Sequence, residues 1–184
     1  MCTTGLAKGS RHLLWIASAG LLAVSAHAVG GVMAGRWSPV DREPETVAVS
    51  FNSERKGQGL IHITLGRDGE RFKGSYLRID ESAPKALLSR IHGAWTSRSF
   101  DRFETGPYGN ERLSKEITIP AFRRRYSGEV VASLAGDRGG AMRCRFSLER
   151  PDLGLPGGAT GRCQVTDGST IEVGRPDGEA PSKQ

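Results

Sequence analysis

The side chains best suited to acid–base or nucleophilic chemistry are few in this 184-residue chain, which holds four histidines and three cysteines. His62 falls beside Thr64 on the polar face of an expected strand, and His92 falls at the end of an expected helix, where a positive charge is favourable. The chain contains neither the HExxH pair of zinc hydrolases nor the GxSxG elbow of serine hydrolases. We therefore predict structural histidines, no metal and no cofactor.

Two acidic pairs, Glu43 with Glu45 and Asp80 with Glu81, lie beside expected linkers or caps. Glycoside hydrolysis needs two carboxylates held at a defined separation across a substrate. These positions predict no such geometry, and the sequence favours a protein without a catalytic site.

Cys144 and Cys163 are predicted to form a disulfide inside the domain. In residues 141–149 the even positions share one face, and they are Met142, Cys144, Phe146 and Leu148. Cys163 shares a face with Val165, so antiparallel pairing of the two strands would set the two sulfurs opposite each other. Closing a loop of this size stabilises a fold by about 3 kcal/mol. A redox pair would favour CxxC spacing and a zinc site would need further Cys or His nearby, so we expect a structural bridge.

Arg123, Arg124 and Arg125 form the densest basic cluster, between Phe122 and Tyr126. If this stretch is a strand, Arg124 shares a face with the two aromatic residues and approaches an apolar interior. A guanidinium there needs a carboxylate, carbonyl groups or an anionic ligand. The hypothesis is an anion contact at a barrel mouth, and the alternative is a solvated strand end with a local salt bridge.

A second candidate surface is the irregular segment that follows Gly93, where aromatic residues are mixed with arginines. These residues are Trp95, Phe100, Phe103, Tyr108, Arg98, Arg102 and Arg112. Such aromatic rings can stack on sugars or bases, which makes Trp95 and Tyr108 candidate binding residues. The alternative is that they plug the end of a barrel, because a long loop must bury something to stay ordered.

The first 28 residues have the layout of a cleavable export signal. Lys8 and Arg11 precede an uncharged run, Leu13 to Ala26, which ends in the small-residue triplet Ala26-His27-Ala28. We expect cleavage after this triplet. The alternative is an uncleaved anchor, because Leu13 through Gly35 is 23 residues without a formal charge and about 20 residues cross a bilayer. Either way we predict a domain exported to the periplasm or cell envelope, which meets the membrane only if the segment stays uncleaved.

Export changes the charge balance of the working protein. The full chain carries +6, and without Lys8 and Arg11 its 26 basic residues become 24 against 20 acidic ones, which leaves +4. This balance permits contact with an acidic polymer or an anionic surface without requiring it. Nucleic acid is not an expected partner of an exported protein.

Period-two alternation of apolar residues predicts strands over most of residues 46–173, which we expect to form a single β-rich domain. The alternation breaks at about residues 82–92, where Ser82 as N-cap and a stripe of Leu87, Leu88 and Ile91 predict one short helix. Residues 29–45 are aperiodic and predicted to be a flexible leader, and residues 174–184 a disordered tail. The fold class is therefore mainly β, a small antiparallel barrel or sandwich.

The connection Pro151 to Gly158 is rich in glycine and could cradle an anion, but it lacks the Lys-Ser/Thr of a P-loop. We expect a tight loop with Leu153 and Leu155 tucked inward. Residues 142–168 combine Met142-Arg143-Cys144-Arg145-Phe146 with a series of later residues, Pro151, Gly154, Gly157, Gly158, Gly161, Cys163, Asp167 and Gly168. This segment resembles the C-terminal signature of small exported bacterial proteins of unknown function. The resemblance implies a compartment and a fold, and it implies no activity.

The function predicted from these features is that of an exported, non-catalytic binding or accessory module. Its partner would be an envelope protein, a glycan or an anionic surface. The alternative is a cell-envelope enzyme whose site is assembled from residues far apart in the sequence, which would require His62 or His92 to meet an Asp or Glu in a cleft.

Overall fold

The computed structural model describes residues 29–55, 57–66, 69–96 and 117–174. Eight antiparallel strands form a closed barrel in which consecutive strands pair and the last strand returns to the first. The strands are β1 (Val29–Ser38), β2 (Glu45–Arg55), β3 (Gln58–Thr64), β4 (Arg71–Arg78), β5 (Val130–Gly136), β6 (Ala141–Leu148), β7 (Ala159–Val165) and β8 (Thr170–Val173). Two helices, α1 (Lys85–Trp95) and α2 (Ile119–Arg125), lie in the connection between β4 and β5. The predicted antiparallel β fold is confirmed, as a barrel rather than a sandwich.

The barrel interior is filled by the inward side chains of the alternating strands. In β2, Val47, Val49 and Phe51 are buried while Ala48 between them is exposed. The same alternation places Ile61 and Ile63 of β3 in this core. Each fully buried aliphatic or aromatic side chain contributes about 1.5–3 kcal/mol to the stability of the fold, relative to the same side chain exposed to water. The barrel interior is therefore the main hydrophobic core.

A second apolar cluster lies on the outside of the barrel wall. Leu77 of β4 and Val131 of β5 are paired residues that point away from the interior, and both helices cover them. From α1 and α2 the cluster receives four fully buried side chains, Leu88, Ile91, Trp95 and Phe122. The wall at β4 and β5 is therefore buried on both faces.

The predicted flexible leader is wrong, because residues 29–38 form β1. This strand pairs with β2 from Val29 opposite Ser53 to Trp37 opposite Glu45. Its inward positions include Gly31, where an added Cβ would lie 2.5 Å from the Phe51 ring. Because glycine has no apolar side chain, glycine at inward positions hides the alternation of apolar and polar residues by which a strand is recognised in a sequence. Seven residues of the 23-residue uncharged run, Val29 to Gly35, thus belong to this strand.

Both helices differ from the sequence-based expectation. Helix α1 begins at Lys85 and continues through Gly93 to Trp95, and Ser82 bonds Asp80 instead of capping the helix. Residues 119–125, expected in a strand, form α2, whose N-cap Thr118 accepts a hydrogen bond from the backbone of Ala121. The predicted single helix is therefore one of two α-helices in the described part of the chain.

The predicted disulfide is confirmed. Cys144 and Cys163 are direct partners between β6 and β7, with Cα atoms 4.0 Å apart, and both are fully buried in the barrel. In the glycine-rich connection Leu155 is buried as expected, whereas Leu153 is 47% exposed, contrary to the prediction. The predicted signal and residues 175–184 of the predicted tail lie outside the described residues.

Candidate functional site

The three arginines 123 to 125 lie on helix α2, so the strand interpretation that aimed Arg124 at the interior is wrong. Phe122 is fully buried while Arg124 and Arg125 are exposed. The arginines occupy the last turn of α2 on the outer wall of the barrel, where basic side chains complement the helix dipole. The structure therefore does not bring this cluster to a barrel mouth.

Trp95 is a core residue and not part of an exposed binding surface. It is 1% exposed, and its Nε1 donates a hydrogen bond to the backbone oxygen of Ala132 at 3.0 Å. The indole packs against Phe122 and Tyr126, with ring centroids 5.7 and 5.0 Å away. Trp95 therefore packs on the outer face of the barrel wall, where it neither forms an exposed ligand surface nor plugs the end of the barrel. Tyr108 lies outside the described residues.

The two histidines of the described segments lie apart from each other. His92 donates from Nε2 to the backbone oxygen of Ile117 at 2.6 Å and meets the Phe122 ring edge-on. His62 is exposed on the outer face of β3, opposite Lys73 of β4. Within the part of the chain that the structure describes, three or more His, Cys, Asp or Glu side chains nowhere gather in a way that could hold a metal ion.

The described residues include an open cleft of about 520 Å³ at the end of the barrel where β1 finishes and β2 begins. We call it the mouth cleft. It is lined by Trp37, Arg42, Glu45, Leu65, Gly66, Gly69, Glu70, Arg138 and Asp167. These residues come from the four strand connections at one end of the barrel and from the strand ends beside them, so the closed sheet brings them together.

Trp37 forms one wall of the mouth cleft. It is 5% exposed, and its Nε1 is a buried donor without an acceptor among the residues that the structure describes. The guanidinium of Arg42 lies over the indole, 5.4 Å from the ring centroid. A cation at this distance from an aromatic face is attracted by the ring electrons. This wall of the cleft therefore consists of the Trp37 indole, whose Nε1 donor is unpaired in the described structure and whose ring is covered by the Arg42 guanidinium.

Glu45 stands directly opposite Trp37 in the ladder between β1 and β2. The pleat that points Val47 and Val49 into the core also points Glu45 inward, and its position at the strand start leaves it exposed. An added Cβ on Gly66 would lie 3.7 Å from Glu45 Oε2 and 3.6 Å from Trp37 Cζ3, so the carboxylate and the indole edge both line the part of the cleft beside Gly66.

The other two carboxylates of the cleft hold turns in place. Glu70 Oε1 accepts backbone hydrogen bonds from Arg138 at 3.1 Å and Gly140 at 2.7 Å. Asp167 Oδ1 accepts from the backbone and hydroxyl of Ser169 at 2.8 and 2.7 Å. Over the described segments the side chain of Glu45 has neither a hydrogen bond nor an ion pair, so its carboxylate is open to a ligand.

The sequence pattern does not reveal this site, for an identifiable reason. The aperiodic stretch around Trp37 predicts a leader, and Glu45 stands out only as one of two neighbouring acids. The signal that could have found Glu45 is the alternation in β2. The inward positions are Phe51, Val49 and Val47, and the next position of the same parity is Glu45.

Comparison of the chain with protein family models, curated proteins and solved structures finds no match in any of the three. The resemblance of residues 142–168 to small exported proteins therefore stays a prediction. Neither α1 nor α2, the helices of the described ranges, is long and apolar enough to span a membrane.

Proposed function

We propose that this protein is an exported, non-catalytic binding module whose mouth cleft binds a small polar group of a cell-envelope partner. The observation that carries the proposal is Trp37, which lines an open cleft and whose buried Nε1 donor has no acceptor in the described structure. Leaving such a donor unsatisfied costs about 1–3 kcal/mol. A ligand acceptor that bonds it would recover this free energy on binding.

The position of Trp37 supports a binding role because its surroundings are fixed before a ligand arrives. Trp37 pairs with Glu45 on one side and with Ile171 of β8 on the other, so it lies where the barrel closes. Glu70 and Asp167 fix the turns around it by their hydrogen bonds. A preorganised site loses little conformational entropy on binding.

Export is supported by the cysteines. A disulfide persists in an oxidising compartment, and the bond between Cys144 and Cys163 is compatible with one. The layout of the first 28 residues favours the same destination. The envelope partners that suit such a module are a protein, a glycan or an anionic surface.

The test is to map binding on the isotope-labelled full chain with three small probes. These are a neutral sugar (methyl N-acetylglucosaminide), a basic amide (N-acetylarginine amide) and an acidic amide (N-acetylaspartic acid amide). We expect at least one probe to shift the backbone signals of Leu65, Gly66 and Gly69 in a saturable way. Trp37→Phe, which removes the donor, should weaken that binding by about tenfold.

A matched pair of variants separates the mouth cleft from the rest of the barrel. Glu45→Gln and Glu54→Gln alter exposed carboxylates at opposite ends of β2. We expect only Glu45→Gln to change probe binding. The proposal fails if no probe shifts the mouth signals, or if the shifted signals lie on α1 and α2 instead.

A further inference from the structure

We infer that the mouth cleft takes a guanidinium group, presented by an arginine side chain of a partner, at the place on Trp37 that Arg42 now occupies. This inference rests on the proposed function, because it names the ligand chemistry of the same site. It is carried by the position of Arg42, whose guanidinium lies over the indole.

Arg42 occupies the place on Trp37 where we expect the guanidinium of a ligand to bind. The residue is exposed and lies in the connection between β1 and β2, and among described residues its side chain has only the stacking contact with Trp37. Exposed cation–π contacts are worth about 0.5–1 kcal/mol. A contact of this size leaves the guanidinium easily displaced, and its displacement would uncover the indole.

The carboxylates favour a cation over a neutral ligand once Arg42 has moved. Among the described lining residues there are three carboxylates, Glu45, Glu70 and Asp167, and two guanidinium groups, Arg42 and Arg138. Once Arg42 has moved away, three carboxylates and one guanidinium group remain among these residues. Glu45, beside the indole edge, is the carboxylate without a partner in the described structure, so it can bond the N–H groups of an incoming guanidinium.

We expect the cation to belong to a peptide, because a peptide also carries an acceptor for the buried donor of Trp37. Nε1 needs an acceptor, and a guanidinium provides only donors. An arginine residue in a peptide has carbonyl oxygens near its side chain, whereas a simple guanidine amine has none. The two sources of the cation can therefore be distinguished by a pair of probes that share the guanidinium.

The experiment measures by calorimetry the affinity of the full chain for N-acetylarginine amide and for agmatine, which lacks the carbonyls. Arg42→Ala should bind N-acetylarginine amide about fivefold more tightly than the unmodified chain, because the competing side chain is gone. Arg138→Ala is the matched control, since it removes the other arginine of the cleft, and it should give no such gain. Glu45→Gln in the Arg42→Ala background should reverse the gain.

Each outcome bears on the inference. Tighter binding of N-acetylarginine amide than of agmatine supports an arginine in a peptide, and equal binding supports the guanidinium alone as the recognised group. The inference is overturned if Arg42→Ala gains no affinity while its thermal unfolding stays unchanged, or if Arg138→Ala gains as much. If methyl N-acetylglucosaminide binds at Trp37 and the cations do not, the proposed function stands and this inference falls. If no probe binds in any variant, both fall.

Discussion

Trp37 and Glu45 are direct partners across β1 and β2, and both point to the interior side of the barrel at its mouth. Below them the same inward rows are apolar, with Val47 next along β2 and Gly35 next along β1. Between one inward pair of residues and the next, the interior therefore changes from a packed apolar core to an aromatic ring beside an exposed carboxylate. This step distinguishes the mouth cleft from the rest of the interior.

The disulfide between Cys144 and Cys163 should be a large contributor to stability. It closes a loop with a sequence separation of 19 residues, for which the loss of unfolded-state entropy predicts about 3 kcal/mol. We expect the double variant Cys144→Ala, Cys163→Ala to lose about that free energy of unfolding in urea. Cys2→Ala, outside the described residues, should lose none. Equal stability of the double variant and the unmodified chain would contradict the prediction.

Two Arg–Glu pairs of the barrel wall should differ in strength because they differ in burial. Arg145 bonds Glu129 in a bidentate manner at 2.5 and 2.6 Å, with side chains 35% and 20% exposed. Arg162 and Glu172 are bonded partners of β7 and β8 whose side chains are 42% and 47% exposed. Double-mutant cycles should give a coupling of about 1–2 kcal/mol for the first pair and less than about 0.5 kcal/mol for the second. A second coupling as large as the first would show that burial does not set the difference.

Two glycines should respond to alanine in opposite directions. An added Cβ at Gly74 of β4 would lie 1.9 Å from the backbone oxygen of Ser133, so Gly74→Ala must push β4 from β5. We expect a loss of at least about 2 kcal/mol in thermal or urea unfolding. Gly93 lies within α1 with open space around it, and Gly93→Ala should gain about 0.5–1 kcal/mol through helix propensity. The packing account fails if Gly74→Ala is neutral.

Tyr76 should make the fold less stable at high pH. Burial raises the pKa of its phenol above the ordinary value of about 10, the Ser53 hydrogen bond lowers it in part, and the Glu54 charge adds to the rise. Above about pH 10 the unfolded chain releases this proton while the folded chain keeps it, so the free energy of unfolding falls as pH rises. Tyr76→Phe should show a shallower alkaline fall in urea unfolding. An identical slope in both proteins would be inconsistent with the raised pKa.

The parts of the fold that follow from the sequence are those in which one strand face is apolar and the other polar. The strands β2, β3 and β6 show this pattern, and the alternation around Cys144 and around Cys163, with antiparallel pairing of their strands, predicts the disulfide. The pattern does not appear in β1, because Gly31 and Gly35 occupy inward positions where neighbouring side chains supply the volume. The alternation is also lost at Leu77 and Val131, because these apolar residues point outward and are buried under the two helices.

Helix α2 escapes prediction because its isoleucine, proline and arginine sequence is equally typical of a bent strand. The helix signals are Thr118 as N-cap and Pro120 in the first turn. For the candidate site, the parity of β2 is predictable and places Glu45 inward. The stacking of Arg42 on Trp37 is not predictable, since it depends on the path of the irregular connection between β1 and β2.

The most direct test of the mouth cleft compares the indole N–H signals of Trp37 and Trp95 during titration with N-acetylarginine amide, with Trp15→Phe to remove the third indole. Trp95 already donates to Ala132, whereas Trp37 has no acceptor in the described structure. We expect the Trp37 signal to move saturably while the Trp95 signal stays fixed. If the Trp37 signal stays fixed, or if both signals move together, an arginine side chain does not bind at Trp37, and the inferred ligand of the mouth cleft is contradicted.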